Sequence, residues 1–353
     1  MPGPPIEGSP MHARQLYSLP EPPRAPSARL HAIDSHTGGE PTRVIFEGLP
    51  ELDGASASEL RDQLAEQHDW VRRASVYEPR GHNDMFVAAL YPGQPDPAIP
   101  RVVFMSAAGY PDMCGHATIG VATTLVEMGW VDPGDEVLTL DVPGGLIEVS
   151  LQRQGARVHA VTFRNQPAFH LKRVAVPGPQ GDVPVDVAYG GQWYGFLPAS
   201  AFGLRVVPEE LTRLQAAADE VRSSLVAALE TPDPRTGSPP AVANIVWYAE
   251  PASEAGDARN VPIAPGGVFD RSPCGTATCA RLAVLHAQQG LEVDEPFVNE
   301  GILGTRFHAR IRRIIDVEGY RGVIPEVTGD AWLTGVSDMW IDDQDPLGQG
   351  FVV

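Results

Sequence analysis

The chain has 353 residues, of which 43% are apolar and 20% are charged. At roughly 100–200 residues per domain, this length predicts two domains, and the apolar share excludes a disordered chain. Asp and Glu number 45 against 26 Lys and Arg, which gives a formal net charge of −19. So acidic a chain repels phosphate backbones and anionic lipid surfaces, which argues against nucleic-acid and membrane partners. Three cysteines are too few for a disulfide framework.

Residues 1–28 contain eight prolines and little apolar clustering. This composition predicts a flexible or polyproline-like arm. The arm lacks the charged start, apolar middle and cleavage site of a signal peptide, so we expect a cytoplasmic protein.

The first half of the chain alternates strand and helix patterns. The sequence Ser56-Ala57-Ser58-Glu59 fits a capping box and predicts that a helix begins there. A second helix is predicted over 114–129, and it should be buried all round because its apolar residues point in every direction. Short apolar runs between turns predict strands at 43–46, 85–91, 101–105, 137–140, 146–151 and 158–163.

The second half repeats this plan. The predicted elements are a strand-like segment at 185–197, an amphipathic helix at 209–230, a Pro-rich surface loop at 231–240, a strand at 242–248 and an apolar helix at 274–290. A Gly-Gly pair precedes a Cys-Gly helix start in each half: Gly38-Gly39 before Cys114, and Gly190-Gly191 before Cys274. This correspondence predicts two structurally related halves.

Cys114 and Cys274 are the two residues from which the sequence indicates a reaction. Each is placed at a predicted helix N-terminus, where unpaired backbone N–H groups and the helix dipole lower a thiol pKa and bind anions. The Gly after each Cys allows another group to approach the backbone closely. A reaction that inverts a stereocentre needs a base on one face of the carbon and an acid on the other. Two thiols facing each other across a cleft meet this need, and the same N–H groups could hold a substrate carboxylate.

Neighbouring residues extend the candidate site. His116 could orient the Cys114 thiol or bind substrate, although a His near a helix start is often simply a satisfied side chain. Asp270 could accept a bond from a substrate nitrogen, or it could form an Asx-type turn. Cys279 lies roughly 140° round the helix from Cys274 and is expected to be buried. Neither Cys114 with His116 nor Cys274 with His286 has zinc-site spacing, so no metal site is expected.

Five segments resemble the proline racemase family, which includes 4-hydroxyproline 2-epimerases and trans-3-hydroxyproline dehydratases. They are Ile33 to Glu40, Glu78 to His82, Met113-Cys114-Gly115-His116, Asp186 to Gly191, and Asp270-Arg271-Ser272-Pro273-Cys274-Gly275-Thr276. The resemblance covers nearly everything from His31 onward. It implies an α+β fold of two pseudo-symmetric halves, each a curved sheet around a central helix as in diaminopimelate epimerase, with the active site in the cleft between them.

The resemblance also implies roles and boundaries. Cys114 and Cys274 are expected to be the two catalytic bases, and the substrate-binding residues are expected to be Gly115, His116, Asp270, Gly275 and Thr276. The family uses no metal or organic cofactor, and a homodimer is compatible with the resemblance. We expect the halves to span 29–185 and 186–344, with a final strand near 345–353 that returns to the first half.

The identity of residue 274 favours one branch of the family. The dehydratase branch usually has Thr where this chain has Cys274, so a cofactor-independent epimerisation of 4-hydroxyproline at its α-carbon is expected. The alternatives are a proline racemase, a trans-3-hydroxy-L-proline dehydratase, a binding protein with a redox-sensitive thiol pair and a single-thiol cysteine hydrolase. Departures from the family pattern at Trp193, Asn244, Ala277 and Cys279 leave the substrate open.

Overall fold

The computed structural model describes residues 26–93, 96, 99–132, 134–155 and 157–352. The Pro-rich arm predicted for 1–28 lies outside these residues, except for its last three. The described residues form five α-helices and one continuous sheet of sixteen strands. None of these helices is both long and apolar enough to cross a membrane.

The first half is built on a central helix, α3 (Gly115–Glu127). Its strands β1 to β7 are Ala28–Thr37, Glu40–Glu47, Val87–Tyr91, Arg101–Met105, Val137–Val142, Gly145–Gln154 and Arg157–Arg164. Helices α1 (Ala57–Gln67) and α2 (Trp70–Val76) cover the outer face of the sheet. Ser56 caps α1 as predicted, because its side chain accepts a hydrogen bond from the Glu59 amide.

Helix α3 is buried on every side, as its sequence predicts. Two of its threonines are compatible with this burial because their hydroxyls donate to the helix backbone. The Thr118 hydroxyl donates to the Cys114 carbonyl at 2.7 Å, and the Thr124 hydroxyl donates to the Gly120 carbonyl at 2.8 Å.

The second half surrounds helix α5 (Gly275–Gln289), and α4 (Leu211–Ala228) packs outside it. Its strands β8 to β15 are Ala168–Gly178, Gly181–Tyr189, Trp193–Pro198, Asn244–Ala249, Ala258–Ile263, Phe297–Glu300, Arg306–Val317 and Tyr320–Gly329. Strand β15 pairs with both β8 and β14, so these strands close into a barrel-like wall. Strand β15 also pairs with β7, which joins the two halves into one sheet.

The boundary between the halves at residues 185 and 186 stays a prediction. Strands β8 and β9, the second of which contains these residues, both pack on α5. The apolar alternation in this region continues without a break and gives no boundary signal. The returning strand is β16 (Ala331–Ile341), which pairs antiparallel with β1. The segment predicted to return, 345–353, contributes an isolated bridge between Phe351 and Glu78.

Candidate active site

The N-termini of the two central helices touch each other through glycines. A Cβ atom built on Gly115 would lie 2.6 Å from the Cα atom of Gly275, and one built on Gly275 would lie 2.7 Å from the Cα of Gly115. The Phe163 ring closes the contact from one side, 2.9 Å from the Gly115 Cβ position. Carbon atoms normally approach to about 3.5–4.0 Å. The close approach that each glycine was expected to allow is therefore made by the Cys-Gly backbone of the other helix.

Cys114 and Cys274 are the N-cap residues of the two helices, so the glycine contact brings them together. Both thiols line one cavity of about 620 Å³ between the halves, and they are only 5% and 8% exposed. Cys274 has a φ of 62°, a left-handed conformation that is rare for a residue with a Cβ atom. Strained backbone of this kind persists where the surrounding structure enforces it, and it is frequent at functional sites.

His116 and Asp270 complete the surroundings of the Cys114 thiol. The His116 Nδ1 atom lies 3.3 Å from the Cys114 Sγ and 3.8 Å from an Asp270 carboxylate oxygen. Burial lowers the pKa of His116, which favours the neutral imidazole at pH 7. Asp270 belongs to the second half, and its other oxygen accepts a hydrogen bond from the Ser272 amide at 2.8 Å. The turn predicted for Asp270 is thus present, and Asp270 also lines the cavity.

Tyr194 and Thr276 face the Cys274 thiol. Their hydroxyl oxygens are 2.6 Å apart, and each lies 3.8 Å from the Cys274 Sγ. The Cys274 amide donates to the Ser272 hydroxyl at 3.0 Å, which holds the turn before α5. Sequence reasoning missed Tyr194, and the only available signal is its place in the strand after the Gly190-Gly191 turn.

The predicted lowering of the thiol pKa values is wrong for this structure. Burial raises the pKa of both Cys114 and Cys274 well above the usual thiol value, and the negative charge of Asp270 raises both further. The N–H groups of Ala117 and Ala277, in the first turn of each helix, act in the opposite direction. Desolvation therefore outweighs the favourable effect of the helix N-termini.

Glu40 fixes the segment before Cys274 to the first half. Its carboxylate accepts hydrogen bonds from the Arg271 amide at 2.8 Å and from the Arg271 guanidinium at 3.3 Å. The same guanidinium donates to Asp84 at 2.8 Å. Glu40 is 4% exposed, and burial together with the Asp270 charge raises its pKa. The sequence placed Glu40 and Arg271 in family motifs, but it indicated no contact between them.

Aromatic residues and one arginine form another part of the cavity wall. The Arg235 guanidinium lies 3.5 Å from the centre of the Tyr189 ring and 5.8 Å from the Trp193 ring. The Asp233 carboxylate accepts two hydrogen bonds from Arg235, at 3.0 and 2.7 Å. The segment 231–240, predicted as a surface loop, thus supplies Arg235 and Thr236 to the cavity wall.

Cys279 and Asn244, both singled out in the sequence, have a structural outcome. Cys279 is fully buried outside the cavity, as predicted, and burial raises its pKa to about 12. Asn244 lines the cavity and donates to the Gln192 side chain at 3.1 Å. The part of the chain that the structure describes contains no cluster of His, Cys, Asp and Glu that could hold a metal ion.

Two related halves, with paired Cys-Gly helix N-termini meeting over one cavity, define a class of proteins that act on small molecules in a central cleft. The sequence model of the family described as proline racemase matches residues 32–352. The chain therefore belongs to the proline racemase family, and it is an isomerase. This membership confirms the predicted family and the predicted enzyme class.

Two relatives match over nearly their whole length. A 4-hydroxyproline 2-epimerase of Streptosporangium roseum is 39% identical over 92% of this chain and 98% of its own. A proline racemase of Clostridioides difficile is 38% identical over 93% of this chain and 99% of its own.

Solved structures confirm the predicted fold class. A hydroxyproline epimerase from Agrobacterium vitis, with bound trans-4-hydroxy-L-proline, superposes with a TM-score of 0.83 at 26% identity, covering 93% of this chain and 96% of that one. A PhzF-family protein of Bacillus anthracis shares the fold at a TM-score of 0.60 and 14% identity, covering 89% of this chain and 99% of that one.

Proposed function

We propose that this protein is a 4-hydroxyproline 2-epimerase that inverts the α-carbon with Cys114 and Cys274 as acid and base. The observation that carries the proposal is the contact between Gly115 and Gly275, which sets the two thiols at the edge of one cavity. The epimerases and racemases among the relatives support the substrate class.

The helix tips would hold the substrate carboxylate. Backbone N–H groups in the first turns of α3 and α5 have no partner within the helices and converge where the helices meet. Gly115, His116, Gly275 and Thr276 supply these turns, and their N–H groups would also stabilise the negative charge that develops during proton removal. Asp270 would accept a hydrogen bond from the substrate imino nitrogen.

The charge interaction between the thiols supports opposite protonation states. Asp270 and Cys274 both raise the pKa of Cys114, so ionising one thiol disfavours ionising the other. One thiolate then takes the α-proton, and the opposite thiol donates its proton to the other face of the planar carbanion. The reverse reaction exchanges the two roles, so the pair is chemically symmetric.

The raised thiol pKa values suit this chemistry. A thiol with a high pKa gives a strong base once ionised, which favours removal of a weakly acidic α-proton. The positive imino nitrogen of a bound substrate would offset the negative charge of Asp270, which raises the pKa of both thiols. Substrate binding thereby lowers the free-energy cost of forming the thiolate.

Isotope exchange tests the proposal. The protein is incubated with trans-4-hydroxy-L-proline in D₂O, and the product epimer is separated by chiral chromatography and analysed by mass spectrometry. We expect one deuterium at the α-carbon of the product, and no turnover with Cys114→Ser or Cys274→Ser. Cys279→Ala is the matched control, because it removes a buried thiol that does not line the cavity. Isotope exchange that persists in both serine variants would refute the two-thiol assignment.

Proline is the second candidate substrate, since the Clostridioides difficile relative is a proline racemase. The polar wall of Arg235 and Thr236 favours the hydroxylated ring, because it offers hydrogen-bonding groups to a ring hydroxyl that proline lacks. Comparison of kcat/KM for proline and 4-hydroxyproline decides between them. The appearance of a ketimine product from trans-3-hydroxy-L-proline would instead indicate a dehydratase. The cytoplasmic location and the homodimer stay predictions.

A further inference from the structure

The Gly-Gly turns of the two halves occupy equivalent places in the fold. The first turn, 38–39, joins the antiparallel strands β1 and β2, and the second, 190–191, joins the antiparallel strands β9 and β10. A polar residue follows each turn directly, Glu40 in the first half and Gln192 in the second. Both residues line the cavity that contains the thiols. They are therefore candidates for an equivalent role.

Each Gly-Gly turn packs against the other half of the protein. A Cβ atom built on Gly38 would lie 3.2 Å from the Ser272 Cβ, and one built on Gly191 would lie 3.7 Å from the Met113 Cβ. Ser272 is two positions before the thiol of its half, and Met113 is one position before the thiol of the other. The turn of each half thus contacts the segment that leads to the opposite thiol.

Glu40 binds the segment before Cys274 through the peptide backbone. Its carboxylate accepts a hydrogen bond from the Arg271 amide at 2.8 Å. Two further bonds continue along the segment: the Ser272 amide donates to Asp270 at 2.8 Å, and the Cys274 amide donates to the Ser272 hydroxyl at 3.0 Å. Glu40 is only 4% exposed, so its bond forms away from water, where hydrogen bonds are stronger. A side chain of the first half is thus connected to the thiol of the second half.

Gln192 makes the corresponding contact from the second half to the first. Its side-chain amide donates to the Met113 carbonyl at 3.3 Å, directly before Cys114. Its amide oxygen accepts a hydrogen bond from the Asn244 side chain at 3.1 Å, which fixes the rotation of the Gln192 amide group. A backbone carbonyl requires a donor, which a carboxylate cannot supply, whereas a backbone amide requires an acceptor. The two residue types therefore match the backbone groups that they meet.

We propose that Glu40 and Gln192 are pseudo-symmetric positioning residues, each of which fixes the thiol contributed by the other half. Glu40 of the first half positions Cys274, and Gln192 of the second half positions Cys114. The geometry of the thiol pair then depends on both halves. The consequence for turnover rests on the two-thiol function proposed above, whereas the positioning itself does not.

Alkylation by iodoacetamide tests the positioning without any substrate. The full chain is alkylated, and peptide mass spectrometry follows the reaction of Cys114 and Cys274 separately. Fragment spectra distinguish Cys274 from Cys279, which is five residues further on. Thermal melts check that each variant is folded.

The variants separate hydrogen bonding from charge. Glu40→Met and Gln192→Met keep most of the side-chain volume and remove the hydrogen-bonding group. Glu40→Gln keeps an acceptor oxygen and measures the loss of charge alone, which is needed because the Glu40 charge also raises the pKa of Cys114. Gln152→Met is the matched control at an exposed side chain outside the cavity.

We expect each variant to act on the opposite thiol. Glu40→Met should raise the alkylation rate of Cys274 roughly threefold to tenfold over Glu40→Gln, because a segment that has lost one hydrogen bond opens more often. Cys114 should react equally in these two variants. Gln192→Met should raise the rate of Cys114 by a similar factor over the parent and leave Cys274 unchanged, and Gln152→Met should change neither. If Glu40→Met does not fold, the result for Gln192→Met decides.

Turnover of 4-hydroxyproline supplies a second readout. In Glu40→Met and Gln192→Met, kcat should fall at least about tenfold while KM stays close to the parent value, because the geometry of proton transfer changes and the substrate contacts remain.

The proposal is overturned if each variant acts on the thiol of its own half, on both thiols equally or on neither. A rise in KM alone would also overturn it, since Glu40 or Gln192 would then be a substrate-binding residue. A parent protein without epimerase activity would instead refute the proposed function, and the alkylation pattern would still decide the positioning.

Discussion

Replacing Gly115 by alanine tests whether contact between the helix tips sets the geometry of the site. The new Cβ would lie 2.6 Å from the Gly275 Cα, whereas carbon atoms pack best at about 3.5–4.0 Å. The helix tips must therefore separate by about 1 Å. The Phe163 ring, 2.9 Å from the same position, blocks a sideways shift.

Two effects of opposite sign contribute to the stability of this variant. Overpacking a buried contact costs about 1–3 kcal/mol, whereas alanine in place of glycine stabilises a helix interior by at most about 1 kcal/mol. Gly115 is the first helical residue, where that gain is smaller. The overpacking should win, and we expect the Tm to fall by roughly 1–4 °C.

The effect on turnover should exceed the effect on stability. A shift of about 1 Å at a reacting centre can cost about 100-fold in rate, so we expect kcat for 4-hydroxyproline to fall by about two orders of magnitude. Initial rates by chiral chromatography and thermal melts supply both numbers. Gly335→Ala is the matched control, because no atom lies within 4 Å of its new Cβ and its φ is not left-handed.

A Gly115→Ala protein that keeps kcat within about threefold of the parent, with an unchanged or higher Tm, would show that the tips can separate without consequence. The contact would then not be what positions the thiols, and the reasoning from helix geometry to chemistry would fail.

Three further outcomes follow from the charges around the cavity. Burial raises the folded-state pKa of Cys114, so the neutral thiol stabilises the fold below its unfolded pKa near ~8.5, and this contribution is lost as pH rises. The Tm should therefore fall between about pH 8 and 10, and fall less in Cys114→Ser; equal slopes would contradict this. The pKa of Glu40 is also raised, so its contribution is full below about pH 4.3 and lost at higher pH. Glu40→Gln should raise the Tm at pH 8 but not at pH 4, and a lower Tm at pH 8 would be inconsistent with a raised pKa. Arg235→Gln loses the contact with Tyr189 and the pair with Asp233, and KM should rise roughly 5- to 30-fold with kcat unchanged; a fall in kcat alone would assign Arg235 to the chemical step.

Local signals in the sequence predicted the central helices and much of the first half. An all-round apolar pattern and a terminal glycine were enough to predict α3 and α5, because a helix that is buried on all sides has apolar residues on all its faces. The Ser56 capping box marked the start of α1 for the same local reason. The two thiols were found because identical Cys-Gly sequences open both central helices.

Features that depend on distant contacts could not be read in this way. Most of β16 is partly or fully exposed, so its sequence lacks the alternation that marks a strand, and its partner β1 is about 300 residues away. Tyr194 faces Cys274 only because the chain folds back between β10 and α5. The thiol pKa values depend on burial, which arises only when both halves close over the cavity. A helix N-terminus recognised in the sequence therefore predicts a lowered thiol pKa, whereas burial raises the thiol pKa in the folded protein.

The pairing of β1 with β16 also affects the order in which the protein can fold during synthesis. The second half uses the contiguous segment 168–329, whereas the first half needs Ala331–Ile341 beside β1 before its wall is complete. On the ribosome, the N-terminal half emerges first but must wait for β16, which is translated about 300 residues after β1. Contacts of such sequence separation form slowly, and an unfinished sheet edge is prone to aggregation until they form. Truncation of the chain after Asp330, which removes β16, should therefore damage the half that was made first.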